Sequence, residues 1–157
     1  MAKNFKKLMR LQVQNTLTAF TSLANQPRPP VGWVKTIRAA LGMSSQALAK
    51  RLRCSQTNVI AMEKRETQGN ITLETLEQVA AALQCKLVYA LVPEKSLEQI
   101  LTAQAHKVAQ RQIKAINHSM SLEQQGLTNQ QLQQQEAALV AELLEGNLKE
   151  LWEPDEI

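Results

Sequence analysis

The chain has 157 residues, a net charge of +4 and only 3% aromatic side chains. That length suits one compact domain with attached helices, built on a core of Leu, Val, Ile, Ala and Met. No apolar run reaches the roughly 18–20 residues of a membrane span, and the opening Met-Ala-Lys-Asn-Phe-Lys-Lys lacks a signal-type apolar region, so a cytoplasmic protein without membrane contact is expected. The charge is uneven. Residues 1–65 hold twelve Lys and Arg against the single acid Glu63, a balance of +11, whereas residues 66–157 stand at −7. A basic half of this kind suits a phosphate-rich partner.

In chain order, residues 3–24 read as an amphipathic helix with Phe5, Leu8, Met9, Val13, Leu17 and Phe20 at roughly helical spacing. Lys3, Lys6, Lys7 and Arg10 sit at its start, where positive charge opposes the helix dipole; they form either a basic arm or a solvated helix end. Residues 25–30 hold three prolines and make a stiff linker. Pro30 to Leu41 predicts a helix with Trp33, Val34, Ile37 and Leu41 on one face, stopped by Gly42. Trp33 reads as a core or hinge anchor.

Residues 42–65 form the organising stretch, two short helices joined by a tight turn. Ser44 caps the first helix and Ser55 the second, each hydroxyl meeting an orphan backbone N–H. Leu48, Ala49 and Leu52 make one apolar stripe, Arg53-Cys54 makes the turn, and Val59 and Met62 point inward. Glu66 to Asn70 reads as a polar connection, and Thr72 caps a helix to Leu83 with Leu73, Leu76, Val79, Ala80 and Leu83 inward.

Cys85 to Pro93 then reads as the one strand of the chain. A lone strand leaves its backbone unpaired, so Leu87, Val88, Tyr89, Ala90, Leu91 and Val92 are expected to pair with the same segment of a second copy in a two-fold homodimer. A short helix extension, or pairing with residues 1–30, is the alternative. Ser96 caps a long helix from Leu97 to Met120, with Leu97, Ile100, Leu101, Gln104, Val108, Ile113 and Ile116 on its apolar side. A break follows around Gly126, then a glutamine-rich helix over 130–152 that serves as an interaction helix or a clasp, and an acidic tail. Cys54 and Cys85 are not at metal-ligand spacing and read as small buried apolar residues.

The pattern as a whole predicts a mainly α fold. A five-helix DNA-binding domain over 28–95 carries the dimer strand, an N-terminal amphipathic helix precedes it over 1–27, and a helical interaction region follows over 96–157. The second motif helix would lie in the major groove of double-stranded DNA. Gln56 and Thr57 open it and are the first base readers; Gln pairs bidentately with adenine. Ile60 and Ala61 suit thymine methyl groups, with burial against a neighbouring helix as the alternative for Ile60. Ser45, Gln46, Lys50, Arg53, Asn58, Lys64 and Arg65 are placed for phosphates, with Arg51 beside them; such contacts position the protein without reading sequence. Glu63 reads as structural. No nucleophile–base pair, phosphate loop or metal cluster is present, and His106 and His118 lack companion ligands, so no enzymatic activity, cofactor or metal is expected.

Residues 42–65 resemble the XRE (Cro/repressor-like) helix-turn-helix family. A longer resemblance is carried by Pro29-Pro30-Val31-Gly32-Trp33 through Ile37-Arg38, by Ala40-Leu41-Gly42-Met43, by Ile71-Thr72-Leu73-Glu74-Thr75-Leu76 and by Leu87-Val88-Tyr89-Ala90-Leu91-Val92-Pro93. Over about residues 28–125 these are similar to the family called mobile mystery protein A. That resemblance implies a DNA-binding, antitoxin-like regulator accompanying a Fic-domain protein. The sequence departs from the XRE pattern where Ser45 replaces the usual Gln, with Gln46 next, and where Arg53 replaces the turn glycine. A non-Gly residue at positive φ costs about 1 kcal/mol, so either the turn has changed or Arg53 is held there for a phosphate. Two functions are in view. One is an autorepressor bound as a dimer to an inverted repeat. The other is an antitoxin that occludes a Fic enzyme, for which Ala141-x-x-x-Glu145-Gly146 and Ser119-x-x-x-Glu123-Gln124 are near misses to the inhibitory pattern.

Overall fold

A computed structural model describes the backbone of residues 2–122 and 128–153 and the side chains of residues 4–120 and 128–153. The expected break around Gly126, the acidic tail from Pro154, and Glu123 and Gln124 lie outside the described residues. The described residues form seven α-helices: α1 (Ala2–Thr18), α2 (Trp33–Ala40), α3 (Ser45–Leu52), α4 (Gln56–Thr67), α5 (Leu73–Ala82), α6 (Leu97–Leu122) and α7 (Asn129–Glu145), with 3-10 turns at Thr21–Leu23 and Leu148–Trp152. None of the described helices is long and apolar enough to cross a membrane. The chain divides into two compact units. One spans residues 20–91; the other joins the described residues up to Ala19 with those from Val92 onward.

In the unit over residues 20–91, Val34, Leu48, Ala49, Val59, Val79 and Leu83 form the buried core, with Ile37, Met43, Leu52, Met62 and Leu76 packed around it. Serine and threonine caps start three of its helices as the sequence indicates. Ser44 accepts from Ala47 N at 3.1 Å, Ser55 from Asn58 N at 3.2 Å and Thr72 from Thr75 N at 3.2 Å. The ends are equally regular. After each of α2 to α5, one residue adopts the left-handed conformation: Gly42, Arg53, Gly69 and Gln84. The next amide then reaches back five residues, Met43 to Arg38 O, Cys54 to Ala49 O, Asn70 to Arg65 O and Cys85 to Ala80 O, at 2.8–3.0 Å. This is the Schellman ending. Two of the four positions lack glycine and carry the steric cost of a Cβ there.

Four expectations need correction here. Four α-helices, not five, make up this unit. The predicted strand is absent among the described residues: Leu87, Val88, Tyr89, Ala90, Leu91 and Val92 have no regular structure, because a strand exists only through ladder hydrogen bonds and a single chain offers this segment none. Trp33 is not a core anchor but 53% exposed; α2 begins at Trp33 rather than Pro30, which puts the ring in the first turn at the surface. Of the two cysteines, Cys54 is half-buried but Cys85 is exposed.

In the other unit, α6 and α7 form an antiparallel hairpin. Gln110 Nε2 donates to Glu136 at 3.0 Å midway along both helices, and Gln104 Nε2 donates to Leu151 O at 2.7 Å closer to the start of α6. The seam runs through Leu101, Ala105, Val108, Ala109, Val140 and Leu151. Ala105 and Ala109 are fully buried one turn apart, so the backbones approach closely. Ile100 and Ile116, expected on this face, are exposed instead. Helix α7 opens on a capping box between Thr128 and Gln131 and ends at Gly146, not at residue 152. The 3-10 turn after it folds back and buries Leu151, the clasp form of the expected interaction helix. Ser96 and Gln99 cap α6 reciprocally at 3.1 Å. Helix α1 docks by its polar edge: Arg10 pairs with Glu98 at 3.0 Å and Gln14 Oε1 accepts from Leu97 N at 2.9 Å. Its apolar residues Phe5, Leu8 and Met9 stay exposed.

Replacing Arg53 or Gln84 by glycine is expected to raise stability by up to about 1 kcal/mol each, since both relieve a left-handed Cβ. Denaturant midpoints at constant m-value check this; a midpoint that falls contradicts the strain assigned to the turn.

Candidate nucleic-acid interface

The surface built around α3 and α4 depends on two carboxylates of α4 that point inward. Glu63 and Glu66 are each 7% exposed. A buried carboxylate is tolerated only when paired and hydrogen-bonded, and both reach the same neighbour, α2. Glu66 caps it from outside the segment: Trp33 N donates to Oε1 at 2.6 Å and Val34 N to Oε2 at 3.0 Å. Helix α2 needs this because its N-cap is Gly32, which has no side-chain oxygen. Gly32 is required twice over. Its φ is +83°, and a Cβ there would stand 2.6 Å from Glu66 Oε2. Glu63 takes a two-point ion pair from Arg38, Nε to Oε1 at 2.6 Å and Nη2 to Oε2 at 3.2 Å, while Arg38 Nη1 also donates to Met43 O at 3.0 Å. Such forked guanidinium–carboxylate geometry fixes orientation as well as distance. The pair clamps α4 to α2 and to the turn that follows it.

With its inner face held, α4 presents an outer face of the expected residues. Gln56, Thr57 and Asn58 are exposed in its first turn; Ile60 is 53% exposed, which removes the alternative of burial, and Ala61 is half-buried. Gln56 Nε2 donates to Ser45 Oγ at 2.8 Å, so the first residues of α3 and α4 meet. Gln46, Lys50, Asn58, Lys64 and Arg65 are exposed, and Ser45 is half-buried. Arg53 occupies the left-handed region at φ 55°, ψ 40°, so the turn keeps the glycine-type geometry without glycine. Its guanidinium makes no hydrogen bond or ion pair among the described residues and projects to solvent. Arg51 is used differently from the expectation: Nη1 donates to Ala82 O at 3.0 Å, holding the end of α5.

Glu66 was missed in the sequence because it follows the motif and reads as connection. The signal that could have found it is a helix opening on Gly32-Trp33 with no hydroxyl or carboxylate of its own to cap it. Among the described residues no group of His, Cys, Asp or Glu is arranged to hold a metal ion.

Residues 34–89 match the family model for the helix-turn-helix. The matched span runs from the first buried residue of α2 to the extended segment, and it carries a DNA-binding, transcription-regulating module. No curated protein and no solved structure matches the chain. The match does not reach α1, α6 or α7, and it carries nothing on an antitoxin role or a Fic-domain partner.

Because the helix-turn-helix is held through a nearly buried ion pair, removing one partner should cost far more than removing both. Glu63→Leu is expected to destabilise by about 3 kcal/mol, leaving Arg38 buried and uncompensated, while adding Arg38→Met should recover much of that loss. Urea unfolding of the four forms of the cycle measures the coupling. Additive effects would mean that the pair does not hold α4.

Proposed function

We propose that this protein is a sequence-specific, DNA-binding transcription regulator that autorepresses from an inverted-repeat operator. The observation that carries the reading is the outer face of α4. It is free of internal partners apart from one hydrogen bond at Gln56, and its inner face is locked by Glu63 and Glu66. A rigid helix offering polar and methyl-bearing side chains is what base readout requires. Gln56 and Thr57 read base edges, with Gln56 directed at adenine, and Ile60 and Ala61 meet thymine methyls. Ser45, Gln46, Lys50, Arg53, Asn58, Lys64 and Arg65 engage phosphates. The free Arg53 side chain supports the second explanation of its strained backbone, a side chain kept at that turn to meet the DNA. With about six to eight phosphate contacts per dimer, the log–log salt slope is about −5 to −7.

A homodimer through residues 87–92 belongs to the same reading. Among the described residues the backbone of 86–92 makes no hydrogen bond, and Val88, Tyr89 and Leu91 are 63%, 68% and 87% exposed. A long apolar edge of this kind is a template for another strand. Two-fold pairing would set half-sites about 34 Å, or a multiple of it, apart on one face of the duplex. The resemblance of residues 28–125 adds an antitoxin role toward a Fic-domain protein, for which the outward Phe5, Leu8 and Met9 offer a protein-binding face.

Gel shift on the DNA upstream of the gene tests the regulator. Gln56→Ala with Thr57→Ala should abolish preference for the operator over scrambled duplex, and Arg53→Gly should weaken both duplexes alike despite its added stability. A double variant as selective as the parent refutes the assignment of α4. For the dimer, light scattering at micromolar concentration should give twice the chain mass, and Tyr89→Pro should give the monomer; a parent already monomeric, or a Tyr89→Pro dimer, refutes pairing through this segment.

A further inference from the structure

Beside the outer face of α4 lies a depression of about 300 Å³ whose walls come from two helices and the loop before α2. Lys35 of α2 and Lys64 of α4 line it with Val31 and Ile60, and Pro30, Glu63 and Thr67 complete it. Each of these has a definite state. Lys35 and Lys64 are exposed and pair with no carboxylate among the described residues. The Glu63 carboxylate is already neutralised by Arg38, so it does not cancel the two ammoniums. Thr67 donates its hydroxyl to Lys64 O at 2.8 Å, which leaves the lysines as the donors. Val31 and Ile60 are 46% and 53% exposed, large apolar side chains with no internal partner to cover them. Two cations over apolar walls match a repeating unit that is anionic at one point and apolar beside it.

Resting on the DNA-binding reading above, we infer that one sugar–phosphate unit of the DNA backbone seats in this depression, with its phosphate shared by Lys35 and Lys64 and its deoxyribose covered by Val31, while Ile60 beside it faces the bases. Lys35 is thus a DNA-positioning residue on α2, outside the two motif helices. The Glu66 cap and the Arg38–Glu63 pair give it a purpose: they hold α2 and α4 at the fixed separation that lets one phosphate bridge them. A free phosphate would use the lysines but not the walls, and a shallow open site suits a polymer better than a small ion.

Fluorescence anisotropy of the full chain with operator and scrambled duplexes over a range of salt tests this. Lys35→Ala should weaken both duplexes by the same factor, roughly 3–10-fold, and flatten the salt slope by about 1 per protomer, with Lys35→Arg restoring both. Lys35→Ala with Lys64→Ala should lose less than the product of the single effects, since both hold one phosphate. Unchanged thermal melting checks the fold. A Lys35→Ala slope equal to the parent's overturns the inference. So does a parent whose Tm rises with millimolar inorganic phosphate, is lowered again by Lys35→Ala, and whose DNA slope does not change; that pattern would mark a small-anion site. A parent that binds both duplexes equally sinks the sequence-specific reading and leaves the Lys35 slope readable, and a parent that binds neither overturns both.

Discussion

The arrangement of this DNA-binding unit depends on where two carboxylates of α4 go. A helix whose outer face is polar must be held by its inner face, and the apolar packing of Val59 and Met62 is non-directional. Glu66 and Glu63 add direction. One accepts two backbone amides at the start of α2, and the other meets Arg38 later in the same helix. Together they fix the rotation of α4 about its own axis. Rotation is the variable that matters, because turning a helix by one residue moves its whole reading face by 100°. The carboxylates are costly to bury, and that cost is offset only in the one orientation in which all their oxygens find donors.

The helix starts were legible because capping is local. Ser44, Ser55, Thr72 and Ser96 each lie within three residues of the amide they satisfy, so a short window contains both partners. The roles of Glu66 and Arg51 were not legible for the opposite reason. Their partners, Trp33 and Ala82, lie thirty or more positions away, and nothing in a single sequence joins them. The α6 seam shows a third kind of failure. Periodicity weighted by hydrophobicity picks Ile100 and Ile116, whereas the hairpin selects Ala105 and Ala109 for their small size. Close approach rewards the absence of a side chain, which a hydrophobicity pattern does not score. The extended segment after Gln84 has strand composition but no ladder, so its residue types were read correctly and its state was not.

The repeated helix ending also shows how the backbone tolerates strain. Gly42 and Gly69 close α2 and α4 at no steric cost, while Arg53 and Gln84 close α3 and α5 with a Cβ in the left-handed region. The hydrogen-bond pattern is the same in all four. The fold therefore over-determines these turns: the core on either side, from Leu48 and Ala49 to Val79 and Leu83, leaves no alternative path for the chain, and side-chain identity at the turn is released for other uses.

The contact between Gln56 and Ser45 reaches further than its length suggests. One amide hydrogen of Gln56 is engaged by the serine oxygen, and the second hydrogen and the carbonyl oxygen make no hydrogen bond among the described residues. A glutamine on an exposed helix end normally samples many rotamers, and freezing them on binding costs about 0.5–1.5 kcal/mol. Here the hydrogen bond to Ser45 limits those rotamers in advance. If α4 reads DNA as proposed, the choice of nucleotide opposite Gln56 is partly in the hands of α3, and a change at Ser45 would shift the preferred DNA without altering any base-reading side chain.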